Sequence, residues 1–314
     1  MHEFDLIRRF FSRPGGREDT ILGVGDDCAL LDPAGNEVLA ATIDTLVAGV
    51  HFLPDTDPGK LGYKALAVSL SDLAAMGAEP AWGFLALTLP EADPVWLESF
   101  SRGLYDLATR HRMDLAGGDT TRGPLTITLQ AIGRVPKACS MLRSGARSGD
   151  DIYVSGLLGQ AGLGLKMLTG EVAWRDRAAI DRLLSPEPRV ALGMTLRGVA
   201  HACIDISDGL AADLGHILES CGLGATIRWE ALPLAPAVRH YIEQTGDWRL
   251  PLYGGDDYEL CFTAPPSQRR VLEQSLPSCD VSWHRIGTIE ERQGLRLVKG
   301  GEVISLPQAG YRHF

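Results

Sequence analysis

Carboxylates stand beside glycines or hydroxyls in five places: Gly23-Val-Gly-Asp-Asp27, Thr42-Ile-Asp-Thr45, Gly117-Gly-Asp-Thr-Thr121, Asp205-Ile-Ser-Asp-Gly209 and Gly254-Gly-Asp-Asp257. Brought together without cations, so many carboxylates would repel one another and resist ionising. Glycine-rich backbone presents N–H groups to phosphate oxygens, and carboxylates with hydroxyls are the hard oxygen ligands that Mg²⁺ takes. The combination points to several magnesium ions meeting a nucleotide. Taken alone, Gly23 to Asp27 or Gly117 to Gly123 reads by default as a capped surface turn, whereas an ordinary cap accounts for one acid of Asp205-Ile-Ser-Asp208-Gly209 but not readily for both.

A further acid, Asp72, follows Leu61, Ala65 and Val68 at helical spacing, so it continues an apolar stripe where an unpaired carboxylate is costly. A metal ion or an ion pair with a core Lys or Arg would relieve it. Gly117-Gly-Asp119-Thr-Thr-Arg122-Gly123 reads as a turn offering backbone N–H groups, one carboxylate and two hydroxyls, suited to a triphosphate and its Mg²⁺. No Gly-Lys-Ser/Thr follows, so it is not a Walker A loop. Asp205 and Ser207 share one face of a strand end, and Ser207 or Asp208 would open the next helix, whose N-terminus favours anions. His51 has no His-x-x-His partner to suggest zinc. Arg143 is either a phosphate clamp or a solvated side chain. Neither a Gly-x-Ser-x-Gly elbow nor a Cys/His pairing points to a covalent nucleophile.

The elements that must position these residues alternate between helix and strand. In the first half, strands are expected at Glu37 to Ile43, Trp82 to Leu89 and Leu125 to Ala131, with helices at Lys60 to Met76 and from Pro94 to about Arg112, the latter capped by Asp93. Met1 to Gly16 reads as an amphipathic helix ended by Pro14-Gly15-Gly16. The turn-rich stretch from 136 to 148 marks a boundary between domains 1–136 and 137–314. The second domain opens with a strand at Asp151 to Ser155. Helices follow near 160–169, 177–184 and 188–200, then a strand at Ala202 to Ile206 and a helix at Asp208 to Cys221. The fold class is α+β in two domains.

With 314 residues, 45% of them hydrophobic, the chain can bury proper cores. A formal charge of −10 argues against nucleic-acid or anionic-membrane surfaces, and an anionic substrate would have to arrive with metal ions. Glu3 and Asp5 stand where a signal peptide needs an apolar run, and no stretch is long enough to span a bilayer, so a cytoplasmic location is expected. Cys28, Cys139, Cys203, Cys221, Cys261 and Cys279 form no Cys-x-x-Cys pair and are expected as free thiols.

Six motifs taken in order resemble those of the thiamine-monophosphate kinase family: Gly23 to Leu31, Thr42 to Phe52, Tyr63 to Ala78, Gly117 to Gly123, Asp205 to Leu210 and Gly254 to Leu260. The resemblance runs from Phe4 to Tyr311. That family is grouped with aminoimidazole ribonucleotide synthetase, selenophosphate synthetase and a hydrogenase maturation factor. The resemblance implies an N-terminal α+β domain that pairs in a homodimer, a C-terminal α+β domain, and ATP in the cleft between them. It implies Mg²⁺ ligands at Asp27, Thr42, Asp44, Asp72, Asp119, Asp205 and Asp208, and ATP contacts at Gly118, Asp119, Arg143 and Ser207. His51, Asp256 and Tyr311 would contact thiamine monophosphate, and Asp44, Asp72, Asp119 and Arg143 would serve catalysis. Two departures stand out. Asp256 occupies a position where Glu is frequent, and Ile43 one where Thr is frequent, so any metal contact at Ile43 would come from its carbonyl.

The implied reaction is ATP plus thiamine monophosphate giving ADP and thiamine diphosphate by direct transfer. Two alternatives remain at this stage. A selenophosphate synthetase would want a reactive Cys near its N-terminus, whereas Cys28 lies in an apolar context. A cation-binding regulatory protein would keep the acids without turnover.

Overall fold

The computed structural model describes residues 6–12, 16–22, 30–33, 35–275 and 281–307. Asp27, Tyr311, Cys28, Cys279 and half of the expected N-terminal helix lie outside them, although Ile7–Phe11 forms a π-helical turn that buries Phe10 and Phe11. The chain divides into two compact units, residues 1–73 with 78–138, and residues 74–77 with 139–314.

In the first unit, β1 (Thr20–Leu22) pairs with β2 (Leu30–Leu31). A separate four-stranded sheet is built from β3 (Glu37–Val47), β4 (Glu79–Leu89), β5 (Asp114–Arg122) and β6 (Thr126–Pro136), in the order β3-β6-β4-β5. Burial alternates strictly along β6, with Ile127, Leu129, Ala131 and Val135 inward, as a half-buried strand requires. The helices Pro58–Ala75 and Pro94–Arg110 supply Leu61, Leu66, Leu70, Leu97 and Phe100 to the core. Asp93 caps the second helix as expected, its Oδ1 accepting the Val95 N–H at 2.9 Å. One local expectation fails: Gly117–Arg122 is strand, not turn. It pairs in parallel with β4, and the missing side chain of Gly118 admits the Leu85 carbonyl, which a Cβ would strike.

The second unit carries a seven-stranded sheet in the order β13-β12-β9-β11-β7-β10-β8. Its strands are β7 (Asp151–Ser155), β8 (Ala202–Asp205), β9 (Gly224–Arg228), β10 (Leu260–Ala264), β11 (Trp283–Glu290), β12 (Gly294–Lys299) and β13 (Glu302–Leu306). All neighbours are antiparallel except β12 and β9. Val154, Ile204, Leu214, Ile217, Ile227 and Leu297 belong to its aliphatic core, which joins the sheet to the helix Leu210–Cys221. Helices at Gln160–Leu168 and Arg177–Leu184 match expectation, while that at Val190–Thr195 is shorter than expected because the chain turns after it, with Gly198 at φ 71°. No helix among the described residues is long and apolar enough to cross a membrane.

Candidate metal and phosphate sites

Residues two apart on a strand share a face, so Thr42 and Asp44 project together from β3. Residues three apart share a helix face, so Ser69 and Asp72 project together from Pro58–Ala75. The two pairs meet. Ser69 Oγ donates to Asp44 Oδ2 at 2.6 Å, and Thr42 Oγ1 donates to Asp72 Oδ2. Burial pushes the Asp44 carboxyl up to about 6, the Asp72 charge adds to the rise, and the Ser69 hydroxyl opposes it. Two carboxylates and two hydroxyls thus crowd a half-buried spot where like charges repel. These are hard oxygen donors, and a divalent cation fits them because it would remove the repulsion. Ile43 projects to the other face of β3 and is 64% exposed, so its side chain takes no part.

Asp119 is not brought to this pair. The ladder runs Asp44, Leu129, Leu85, Gly118 across the four strands, which places Asp119 on the opposite face and on the far edge strand. Three strand spacings separate those edges, roughly 14 Å. Among the described residues no three His, Cys, Asp or Glu side chains cluster as a metal group. His51 follows β3 in a tight turn, its N–H donating to the Val47 carbonyl at 3.0 Å. Its Nδ1 accepts the Val47 N–H at 3.0 Å, which leaves the neutral imidazole's proton on Nε2.

In the second unit, Asp205 ends β8 and is buried, and Ser207 and Asp208 lie in the loop before the helix Leu210–Cys221. The expected cap does not form. Gly209, at φ 115°, is the N-cap residue, and no side chain caps from that position. Instead Asp213, one turn into the helix, turns back so that Oδ2 accepts the N–H groups of Ser207, Asp208 and Gly209, each at 3.1 Å. The anion favoured at this helix end is therefore part of the chain. Burial lifts the Asp213 carboxyl to about 7, the Asp208 charge adds to the rise, and the three N–H groups oppose it. The signal for Asp213 was available: it stands on one helical stripe with Leu210 and Ile217, as Asp72 does with its own apolar neighbours.

A second loop is laced to this one. The Asp256 N–H donates to the Ser207 carbonyl and the Tyr258 N–H to the Ile206 carbonyl, both at 2.8 Å. Asp256 holds a left-handed backbone, φ 66°, and accepts the Tyr258 hydroxyl at 3.1 Å. Its neighbour Asp257 is buried, with Oδ2 accepting the Gly159 N–H at 2.6 Å and Oδ1 the Ala161 N–H at 3.2 Å. Asp257 thereby satisfies the start of the helix Gln160–Leu168, and burial pushes it up to about 6. Glu259, fully buried, is gripped by Arg182 and Arg189 and accepts the Ser155 hydroxyl. Sequence reasoning assigned no role to Asp213, Asp257 or Glu259.

Arg143 opens a single 3₁₀ turn. Leu142 pairs with Ala202 at the start of β8, and the Arg143 carbonyl accepts from Cys221 Sγ at the C-terminal end of the helix Leu210–Cys221. Its backbone thus stands at the opposite end of that helix from Ser207 and Asp208, about 18 Å along the axis for a helix of this length.

Comparison with known proteins gives this arrangement a family. The AIR synthase related protein N-terminal domain family matches residues 25–135, and the corresponding C-terminal domain family matches residues 147–300. The thiamine-monophosphate kinase of Escherichia coli (strain K12) is 48% identical over 318 residues, covering 99% of this chain and 98% of that protein. The crystal structure of thiamine-monophosphate kinase from Stenotrophomonas maltophilia K279a superposes with a TM-score of 0.85 at 46% identity, covering 91% of this chain and 93% of that one. The structure of AaThiL complexed with AMPPCP and TMP superposes with a TM-score of 0.79 at 32% identity, covering 93% and 92%. With both domain families matched in order and nearly half its residues identical to the Escherichia coli enzyme from end to end, the chain belongs to the thiamine-monophosphate kinase family.

Proposed function

We propose that the chain transfers the γ-phosphoryl group of ATP directly to thiamine monophosphate, giving thiamine diphosphate, with Mg²⁺ required and no phosphoenzyme. The observation that carries the activity is identity at 48% over essentially the full chain. What supports the metal requirement is the Asp44–Asp72 pair, whose mutual repulsion a cation would relieve.

A phosphate monoester has its second pKa near 6 and is already largely dianionic at pH 7, so no side-chain base is needed for attack. The obstacle is repulsion between two polyanions. Magnesium ions would neutralise phosphate oxygens and favour an in-line approach. Asp44, Asp72 and Thr42, with Asp119, Asp205, Asp208 and Asp27, are the residues we assign to hold them, and the Ile43 carbonyl is a further candidate. Gly118, Arg143 and Ser207 would hold ATP. His51, through its Nε2 proton, would donate to the substrate, Tyr311 would be a further substrate contact, and Asp256 would face the cationic thiazolium. Asp213 and Tyr258 are positioning residues, the first shaping the Ser207–Asp208 loop and the second orienting Asp256.

A cytoplasmic homodimer is the state we favour. Leu39 and Ile43, 47% and 64% exposed, leave apolar area on the face of β3 that points away from Asp44, which a second copy would cover. The deciding experiment is turnover with and without metal: thiamine diphosphate should form with Mg²⁺ and cease with EDTA. Full activity after rigorous metal removal, or ADP release without thiamine diphosphate, would overturn the proposal.

A further inference from the structure

The two faces of the C-terminal sheet differ in character. One belongs to the aliphatic core through Ala225, Ile227, Ile289 and Leu297. The other is polar along β9 and β11. Thr226 and Arg228 alternate with the core residues of β9, and Thr288 lies opposite Thr226 on β11. In a regular strand, positions 285 and 288 would fall on opposite faces. The β-bulge between Arg285 and Gly287 removes that offset and turns Arg285 onto the polar face. Gly287 lets β11 lie close against β9 there, because a Cβ would strike the Thr226 carbonyl. Thr226, Arg228, Arg285, Gly287, Thr288 and Glu290 line a volume of about 190 Å³.

The charges on this face are unevenly used. Glu290 is bound by Arg296 at 2.7 Å, and Arg296 gives its other donors to Thr226 and to the Gln293 and Arg292 carbonyls. Asp151 is gripped by Arg269 through two hydrogen bonds at 2.6 and 2.8 Å, which leaves Arg285 one longer contact to it at 3.3 Å. Arg228 is exposed, and among the described residues no carboxylate lies within ion-pair distance of it. Four guanidiniums therefore stand against Asp151, Glu290 and Glu230, the last feeling the Arg228 charge, an excess of one positive charge on a chain whose formal charge is −10. Two guanidiniums with donors to spare and the Thr288 hydroxyl converge on this recess, while the Thr226 hydroxyl already serves Glu290 and Arg296.

We propose that this recess is an anion site for a phosphate or diphosphate group. It is separate from the Ser207–Asp208 loop, since β11 lies three strands from β8, roughly 14 Å. The group could arrive as a free anion or as the phosphate tail of a larger ester whose organic part stays outside.

Isothermal titration of the full chain with pyrophosphate, in EDTA so that metal-dependent phosphate binding is suppressed, tests the assignment. Saturable binding of one ion per chain is expected. Arg228→Gln should weaken it at least tenfold with the melting temperature and phosphoryl-transfer kinetics unchanged, and Arg228→Gln with Arg285→Gln should abolish it. Parallel titrations with inorganic phosphate and ADP, each on wild type and Arg228→Gln, separate the two sources: ADP binding that weakens with Arg228→Gln identifies an ester tail, and ADP binding that the substitution leaves unchanged belongs to the nucleotide site and identifies the free anion. Equal pyrophosphate affinity in wild type and Arg228→Gln, or binding that never saturates and so reflects an adventitious ion only, would overturn the proposal. If the double variant fails to fold, Arg228→Gln alone decides, because its side chain holds no carboxylate in place.

Discussion

Asp257→Asn should change stability in a manner that depends on pH, with the difference set by one buried carboxyl. Asp257 is 1% exposed, and burial raises it from 3.8 to about 6 even though two N–H groups and the Arg182 charge favour the anion. A folded pKa above the unfolded one means the native state binds more protons, so stability from this group is fully present below about pH 4 and is lost as pH rises through 6. Two pKa units correspond to about 3 kcal/mol. Asn has nearly the same shape but cannot ionise, and its amide leaves either Gly159 or Ala161 without its acceptor, at a cost of about 1 to 3 kcal/mol. At pH 4.5 the variant should therefore be the less stable protein. By pH 8 the wild type has taken on most of its ionisation cost, and the gap should close or reverse. Urea unfolding at several pH values, followed by tryptophan fluorescence, reads this directly, since four of the six tryptophans (Trp174, Trp229, Trp248 and Trp283) lie in the second unit. A stability difference that stays constant from pH 4.5 to 8 would refute the argument, because other titrating groups cancel between the two proteins.

Three further outcomes can be checked. Asp72→Asn should keep the melting temperature within a few degrees while losing most turnover and raising the Mg²⁺ needed for the remainder; a large drop in melting temperature with activity per folded molecule unchanged would make Asp72 a structural partner. Asp256→Ala should raise KM for thiamine monophosphate far more than KM for ATP, by about 1 to 3 kcal/mol of lost contact, with Asp256→Glu the milder change; equal losses on both substrates would move Asp256 out of the substrate pocket. Asp114 accepts the Gly16 N–H at 2.9 Å and the Thr20 hydroxyl at 2.8 Å, and Thr20 in turn accepts from Trp82 at 2.9 Å, which anchors the start of β1. Asp114→Ala should thus raise the Mg²⁺ concentration for half-maximal rate by loosening the strand that leads to Asp27, with Asp114→Asn partly restoring it; an unchanged Mg²⁺ titration would exclude this role.

Much of the fold was legible because periodicity and caps are local. Asp93 followed by Pro94 announced the helix Pro94–Arg110, and strict alternation announced β6. Gly117–Arg122 was misjudged for the opposite reason. Its glycines suggest a turn when taken alone, but its strand is made by pairing with β4, a partner some thirty residues earlier in the sequence. Local composition carries no record of that partner.

The same limit governs the site. Asp72 was legible because a carboxylate interrupting an apolar helical stripe is costly wherever the helix packs, and Asp44 became its neighbour only through the way that helix lies on β3. In Asp256-Asp257 the two side chains are chemically identical, and sequence has no means of assigning their tasks. The backbone assigns them: the left-handed turn at Asp256 sets its carboxylate beside the Tyr258 hydroxyl, while Asp257 points to the start of the helix Gln160–Leu168. Substitution tests at this pair therefore separate cleanly. A change at Asp257 should act through stability and its pH dependence, and a change at Asp256 through one substrate's KM, so a variant at either position that moved both quantities together would show the two acids acting as one unit.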